Sequence, residues 1–377
     1  MNAVGRLFIL IGVLVSAAGL QPAEALEGSV PFERLGHLIV VKAGINGSPE
    51  EFNFVVDTGG VACVDKDLAR ELGLKERGIM AKIDTLALSG LKIGGVFCFT
   101  NFDFGHLRAL GTPIHGMIGS NLMERFRVTF DFRAGLVTFS DDTTSAARPD
   151  SALVFSFRNH PVNSAPLVEF KIGKEAMEGM IDTGQPYPLV IPLSSFDDFD
   201  QSAFSGCLRS TGLMKKWPLT HADHNYLVRL KSVTFGDMSI ENVICLFGEL
   251  PPLLSMPLIG TDLLSQFEMI IDYPNDEMLL VPYPGLEMKQ NEFSLGLNLG
   301  LSDEDSVIVE GILEGSPAAQ WLDVGDIVLS FDSREATARN LIELIRMMND
   351  DSVESLQLEI KRGDESEIVE LHKHLLF

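Results

Sequence analysis

Basic residues are scarce in this chain. Lys and Arg number 29 against 53 Asp and Glu, a net charge of −24. Such a surface repels phosphate backbones, which argues against nucleic acid as a partner. No local basic patch offers an anionic bilayer a foothold. Cysteine is scarcer still. Only Cys63, Cys98, Cys207 and Cys245 occur, and no pair has the Cys-x-x-Cys spacing of a metal or dithiol site. They read as buried free thiols, with Cys63–Cys98 and Cys207–Cys245 bridges as the other reading. Gly-x-Ser-x-Gly, Gly-Asn-Ser-Gly-Gly, a P-loop and His-Glu-x-x-His are all missing, against serine-hydrolase, nucleotide and zinc-protease chemistry. His221 and His224 have no third ligand at a metal-site spacing. His115 reads as a turn residue, and Trp217 and Trp321 as packing residues.

Long apolar runs are limited to one. Leu7 to Leu20 follows a single Arg6 and precedes Ala23-Glu24-Ala25, the layout of a secretory leader cut after Ala25. The other reading is an uncleaved anchor, for which the run is short. With no second span, the mature chain is expected to be exported, periplasmic or extracellular, without a membrane span. Its 377 residues and 46% apolar content suffice for two or three domains with real cores.

What the chain does contain is an internal repeat. Phe52 to Val56 runs into Asp57-Thr58-Gly59, and Met177 to Ile181 runs into Asp182-Thr183-Gly184, 125 residues later. Downstream, Met117-Ile118-Gly119 matches Leu258-Ile259-Gly260, Phe126 matches Phe267 and Asp131 matches Asp272, all 141 apart. One Asp-Thr-Gly arises by chance in roughly 0.1 of chains this long, and two in well under about 0.01. Two in register with a longer repeat mark a duplication.

Pattern places these motifs on local structure. Each Asp-Thr-Gly ends a short apolar strand. Segments 121–125 and 262–266 read as short helices capped by Ser120 and Thr261. Strands follow at 127–132 and 268–273, and turns at Gly135 and at Asn275-Asp276 lead into 136–139 and 278–281. The polar stretch 141–151 reads as a linker. Beyond Gly285 the pattern changes. Strand-like segments at 293–301, 306–312, 324–331, 356–360 and 367–371 surround a short helix started by Ser316-Pro317 and a longer one at 336–348.

The chemistry follows from the pair. Gly frees the backbone for a tight turn that aims the Asp carboxylate out of the sheet. Thr can hydrogen-bond across to its counterpart. If a pseudo-twofold axis relates the lobes, Asp57 and Asp182 meet on it and share one proton. One is then a general base towards water and the other a general acid towards a carbonyl, with no metal or cofactor.

On these residues the chain resembles the aspartic proteases, as two fused retropepsin-like lobes of the bacterial exported type, over about residues 30–284. The resemblance implies a bilobal, mostly β enzyme with Asp57 and Asp182 as the catalytic dyad. Thr58, Gly59, Thr183 and Gly184 would be its scaffold, and the apolar-apolar-Gly elements ending in Ile118-Gly119 and Ile259-Gly260 would pack behind it. Gly78-Ile79-Met80 and Thr211-Gly212-Leu213 sit where that family places substrate-covering hairpins. Relatives carry Ser, Thr or Ala after each Gly, whereas this chain has Gly60 and Gln185; Gly60 cannot support the outer carboxylate oxygen, and Gln185 would either donate to it or crowd the cleft.

Residues 285–377 resemble a PDZ-like α+β domain, on Phe293 to Leu297, Glu314 to Ala319, Val324 to Leu329 and the helix at 336–348. The resemblance implies a C-terminal peptide ligand, its carboxylate held by backbone N–H groups at Leu295-Gly296-Leu297 and its strand added against 297–301. The segment 286–377 holds 20 acidic and 7 basic residues, over half the net charge, which favours neutral or basic peptides.

The expected plan is therefore a leader (1–25), lobe 1 (26–140), a linker (141–151), lobe 2 (152–284) and the PDZ-like domain (285–377). The expected activity is aspartic-type endopeptidase action on peptides or unfolded proteins, with a monomer sufficient to build the dyad. The alternative is a peptide-binding protein on the same scaffold that does not cut.

Overall fold

The computed structural model describes residues 26–105, 107, 112–142, 148–212, 224–251, 255–285, 293–302 and 304–377. The leader, Leu213, Trp217 and His221 lie outside them. Among the described residues no helix is long and apolar enough to cross a membrane.

The chain is mostly β, and its first two-thirds form two six-stranded barrels. In lobe 1 the ring runs Leu38–Ile45, Glu51–Asp57, Gly116–Gly119, Cys63–Asp65, Leu91–Phe102 and Met80–Leu88, the last pairing back to the first. In lobe 2 it runs Pro166–Ile172, Glu175–Asp182, Leu258–Gly260, Leu189–Pro192, Met238–Gly248 and Tyr226–Phe235, closing the same way. The order of parallel and antiparallel pairings is identical in the two rings. The run Phe52 to Val56 is buried on both faces of its strand because the barrel covers both, and its one polar residue, Asn53, donates to Pro113 O at 2.7 Å.

A shared sheet joins the lobes. Arg127–Asp131 lies antiparallel to Phe267–Asp272, with Thr129 opposite Ile270. Those two residues are repeat mates, so a local twofold axis passes through their pair. One apolar cluster, including Phe54, Phe126, Phe130, Phe170 and Phe247, runs through both lobes.

The C-terminal module is α+β and has its own core, centred on Leu295, Val309, Phe331, Leu344, Leu358 and Leu371. Its sheet continues that of lobe 2. Ser210, Thr211 and Gly212 pair with Leu313, Ile312 and Gly311.

Several local expectations change. The short helices start one residue earlier, at Ser120 and Thr261, and Gly119 and Gly260 stand at the cap positions without a side-chain cap. The two hydroxyls are used on the Asp-Thr-Gly turns instead, as described below. The last helix spans Leu341–Asn349 only, because Asn340 Oδ1 takes the Thr337 N–H at 2.8 Å and holds 337–340 as a turn. The short helix near Ser316 is a 3-10 turn over Ala318–Gln320 that starts after Pro317, with Ala319 N–H 3.4 Å from the Ser316 hydroxyl. Trp321 is 55% exposed rather than packed, since the 3-10 turn ends on it. All four cysteines are free; Cys63, Cys98 and Cys245 are buried, whereas Cys207 is exposed on a hairpin strand.

Candidate active site

Asp57 and Asp182 end equivalent strands and stand in equivalent registers. Asp57 lies beside Gly119, and Asp182 beside Gly260, in parallel pairs. The twofold axis brings the two carboxyls into mutual hydrogen-bond contact. Asp182 is 3% exposed, and Asp57 keeps partial contact with solvent.

The threonines lock the turns. Thr58 N–H donates to Thr183 Oγ1 and Thr183 N–H to Thr58 Oγ1, each at 3.0 Å. Each hydroxyl then donates across the lobe boundary, Thr58 to Ile181 O at 2.7 Å and Thr183 to Val56 O at 3.0 Å. All four groups are buried, so the reciprocal set satisfies donors and acceptors that water cannot reach. Ser120 Oγ donates to Thr58 O at 2.6 Å, and Thr261 Oγ1 to Thr183 O at 2.8 Å.

The glycines have a different role from the expected one. Neither Gly59 nor Gly184 has a positive φ. A Cβ on Gly59 would lie 2.5 Å from Asp182 Cγ, and one on Gly184 would lie 2.5 Å from Asp57 Oδ2. Each glycine is thus room for the opposite lobe's carboxylate. Gly119 and Gly260 are room for backbone, since a Cβ there would lie 2.3 Å from Val61 C or 2.1 Å from Tyr187 O.

Burial pushes both carboxyls upward. For Asp57 the N–H groups of Gly59, Gly60 and Gly184 and the Asp182 carboxyl act against burial. Gly59 N–H lies 2.8 Å from Asp57 Oδ1. Asp182 is pushed further, because the Asp57 charge adds to burial, although Gly184 N–H donates to its Oδ1 at 2.9 Å. The pair therefore titrates as a unit in which the two carboxyls share a proton.

The departures at 60 and 185 resolve structurally. The backbone N–H of Gly60 donates to Asp57 O at 3.3 Å and that of Gln185 to Asp182 O at 3.2 Å, and each helps to hold down the pKa of its own lobe's carboxyl. A side chain at 60 would meet Met117 Sδ at 2.2 Å, so the Met117 thioether fills that space. Gln185 does not crowd the cleft. It is 1% exposed, and its Oε1 accepts from Tyr187 N–H at 3.4 Å.

Three contributors went unread in the sequence. Asn163 donates to Gly59 O at 2.6 Å from lobe 2 and pairs with His160 Nδ1 at 2.8 Å. Tyr273 OH and Ser120 Oγ are 2.8 Å apart across the lobes. Asn121 Oδ1 accepts from Ala62 N–H at 2.6 Å. No spacing marks the first two, because each contact crosses between lobes. Asn121 follows the repeat glycine by two residues, but its mate is Asp262, which hides the match. His115 is no base: its Nδ1 accepts from Asn53 N–H at 3.2 Å, and burial lowers its pKa. His224 packs edge-on to Tyr226 at 5.5 Å.

In lobe 1, Gly78 (φ 68°) and Ile79 turn the short hairpin Glu76–Arg77 to Met80–Leu88, and Ile79 O accepts from Thr100 N–H at 2.9 Å. In lobe 2 the corresponding hairpin is Phe204–Gly212 with Tyr226–Phe235.

In the C-terminal module Gly296 has φ 75°, and a Cβ there would lie 2.1 Å from Ser316 Cβ. Its N–H is taken by Ser294 Oγ at 3.0 Å. Among the described residues, the strand Leu297–Leu301 pairs with Val307–Leu313. A cavity of about 810 Å³ lies along it, lined by Leu297, Asn298, Leu299, Ile345 and Arg346 and, across from them, Tyr187 of lobe 2. Neither Asp57 nor Asp182 lines it.

Compared with known proteins, the chain matches no protein-family profile and no curated protein.

Proposed function

We propose that this protein is an exported aspartic-type endopeptidase, with a PDZ-like module that binds a substrate or partner peptide. The observation that carries the reading is the contact of Asp57 and Asp182, one from each repeat, inside a reciprocal threonine lock. A water between the carboxyls gives a proton to ionised Asp57 as its oxygen attacks the peptide carbonyl. Asp182 gives its proton to the carbonyl oxygen, forming a gem-diol. Asp57 then protonates the leaving nitrogen, Asp182 recovers a proton from the diol, and the C–N bond breaks. Neither carboxyl can be absent, because one must be charged and the other neutral at the same moment. In the module, a peptide would add as a strand against Leu297–Leu301, beside the helix Leu341–Asn349. Because Ser294 already takes the Gly296 N–H, neighbouring groups would hold a ligand carboxylate.

The test is cleavage of an unfolded protein by the mature chain between pH 3 and 8. Asp57→Asn and Asp182→Asn should each lower the rate by at least about 10³-fold. Wild-type rates in either variant would sink the reading, and peptide binding without turnover at every pH would leave a non-cutting peptide binder on this scaffold.

A further inference from the structure

The two Asp-Thr-Gly turns are mates, but a neighbour of one of them breaks the symmetry. In lobe 2 the hairpin from Arg158–Asn159 to Pro166–Ile172 is joined by the loop 160–165. In lobe 1 the hairpin at the same place turns through Gly36-His37 alone. The lobe 2 loop is folded on itself. His160 N–H donates to Ala165 O at 2.8 Å, and Ser164 N–H to His160 O at 2.9 Å. The loop carries Asn163, 6% exposed, to the Asp57 turn of the other lobe.

The Asn163 amide has one orientation that suits its partners. Its Nδ2 faces Gly59 O at 2.6 Å, which can only accept, and its Oδ1 faces Ala165 N–H at 3.3 Å, which can only donate. His160 Nδ1, 2.8 Å from the same Oδ1, therefore carries a proton, as it does both in the neutral Nδ1–H tautomer and in the imidazolium. The carbonyl that Asn163 takes belongs to the Gly59–Gly60 peptide, whose N–H is that of Gly60. Gly60 lies against the carboxylate: a Cβ on it would be 3.0 Å from Asp57 Oδ2. Its N–H helps to hold the Asp57 carboxyl down. A donor on the carbonyl side of a peptide polarises the N–H side. The chain of hydrogen bonds thus runs in one direction, from His160 through Asn163 and the peptide to Asp57. The charged and titratable groups beside it are Arg158 and Glu178 at His160, and Asp182, Cys63 and Tyr273 at Asp57. Burial keeps the last two protonated.

We propose that His160 and Asn163 are positioning residues for the dyad, and that this arm of lobe 2, which the Gly36-His37 turn of lobe 1 does not carry, makes Asp57 the charged member of the pair. Two carboxyls on a twofold axis have no preference of their own for which is ionised. Acid and base roles need such a preference, and a donor chain on one side supplies it. The kinetic consequence of the proposal rests on the peptidase reading; the effect on Asp57 rests on the hydrogen bonds alone.

The test is the pH profile of kcat/KM for the mature chain on an unfolded protein, with urea unfolding measured across the same pH range. Asn163→Ala removes the donor to Gly59 O. Its acid limb should move up by about half a pH unit, because the charged form of Asp57 loses support, and kcat should fall about tenfold with KM unchanged. His160→Ala should move the limb the same way by less. The double variant should move it no further than Asn163→Ala alone, because His160 acts through Asn163. His160→Asn places an amide N–H where Nδ1 stood and should restore the wild-type limb. Should Asn163→Ala not fold, the two His160 variants, at a partly exposed position, carry the same comparison. Lost activity with an unmoved limb would make the arm merely structural and overturn the proposal, as would additive shifts. If the wild-type chain cuts nothing, the peptidase reading fails by itself and unfolding decides on the arm. Stability should then fall more steeply from about pH 4 to about pH 7 in Asn163→Ala than in the wild type, and equal slopes overturn the proposal.

Discussion

After Asp57, lobe 1 runs through Gly60 beneath the Met117 sulfur, and its hairpin is short and pinned to its own barrel at Ile79. After Asp182, lobe 2 runs through the buried Gln185, and its hairpin is long and paired to the C-terminal module. A second difference lies behind the turns. Ser120 of lobe 1 touches the Tyr273 hydroxyl, whereas Thr261 has no such partner, because the repeat mate of Tyr273 is Phe132. The shared parts are the ones that both carboxylates require: two threonines, two glycines and two apolar-apolar-Gly strands. The divergent parts surround them. Duplication has kept the geometry at the axis and released the rest.

That comparison can be broken or sharpened in a graded way. The largest structural effect is expected at the lock. Thr58→Val leaves Thr183 N–H and Ile181 O unpaired, and Thr183→Val leaves Thr58 N–H and Val56 O unpaired. Each should cost about 2–4 kcal/mol in urea unfolding, and the two costs should match. Thr→Ser at either site should recover most of the loss; unequal losses would break the symmetry of the lock.

Position 60 should be less tolerant than position 185. Gly60→Ala drives a Cβ onto Met117 Sδ and should cost about 1–3 kcal/mol, recovered in part by Met117→Ala. Gln185→Ala removes one buried acceptor and should cost about 1 kcal/mol. The reverse order would mean that the Met117 packing is easily rearranged.

The carboxyl pair makes stability depend on pH with a known sign. Both folded-state pKa values are raised, so above pH 3.8 these two carboxyls bind more protons in the folded chain than in the unfolded one. The contribution of the pair is full below that value and is lost as pH rises through the raised values. Asp182→Asn should remove much of this decline and raise the Tm at neutral pH by on the order of 2 °C. A melting curve with an unchanged pH slope would contradict the shared proton.

The smallest effect concerns the asymmetric hydroxyl. Tyr273→Phe makes lobe 2 like lobe 1 at Phe132 and leaves Ser120 bonded to Thr58 O. A loss of about 1 kcal/mol is expected, with the lock intact. A larger loss would show that the lobes are held together through Tyr273.

Several of these residues were legible beforehand because their signal is local. The strand-ending Asp-Thr-Gly triplets, the two offsets and the reciprocal threonine bonds follow from motif and repeat. Other parts were misread for a consistent reason. Ser120 and Thr261 look like helix caps in a linear pattern, yet the nearest unpaired carbonyl belongs to a turn 62 or 78 residues away in sequence. Gly59 and Gly184 look like turn glycines, yet the group that excludes a Cβ comes from the other lobe. Asn163 and Tyr273 carry no local mark, since a single polar residue does not reveal what it will face.

By itself the sequence determined that the chain is a mostly β duplication with one aspartate, one threonine and one glycine at each strand end, because periodicity and repeated spacing are properties of the linear order. Only the tertiary structure decided that the two halves turn about the Thr129–Ile270 pair, that the glycines give way to the opposite carboxylates, and that Asn163 of lobe 2 reaches the Asp57 turn. Those features depend on distances between segments far apart in the chain, and such distances are set by packing.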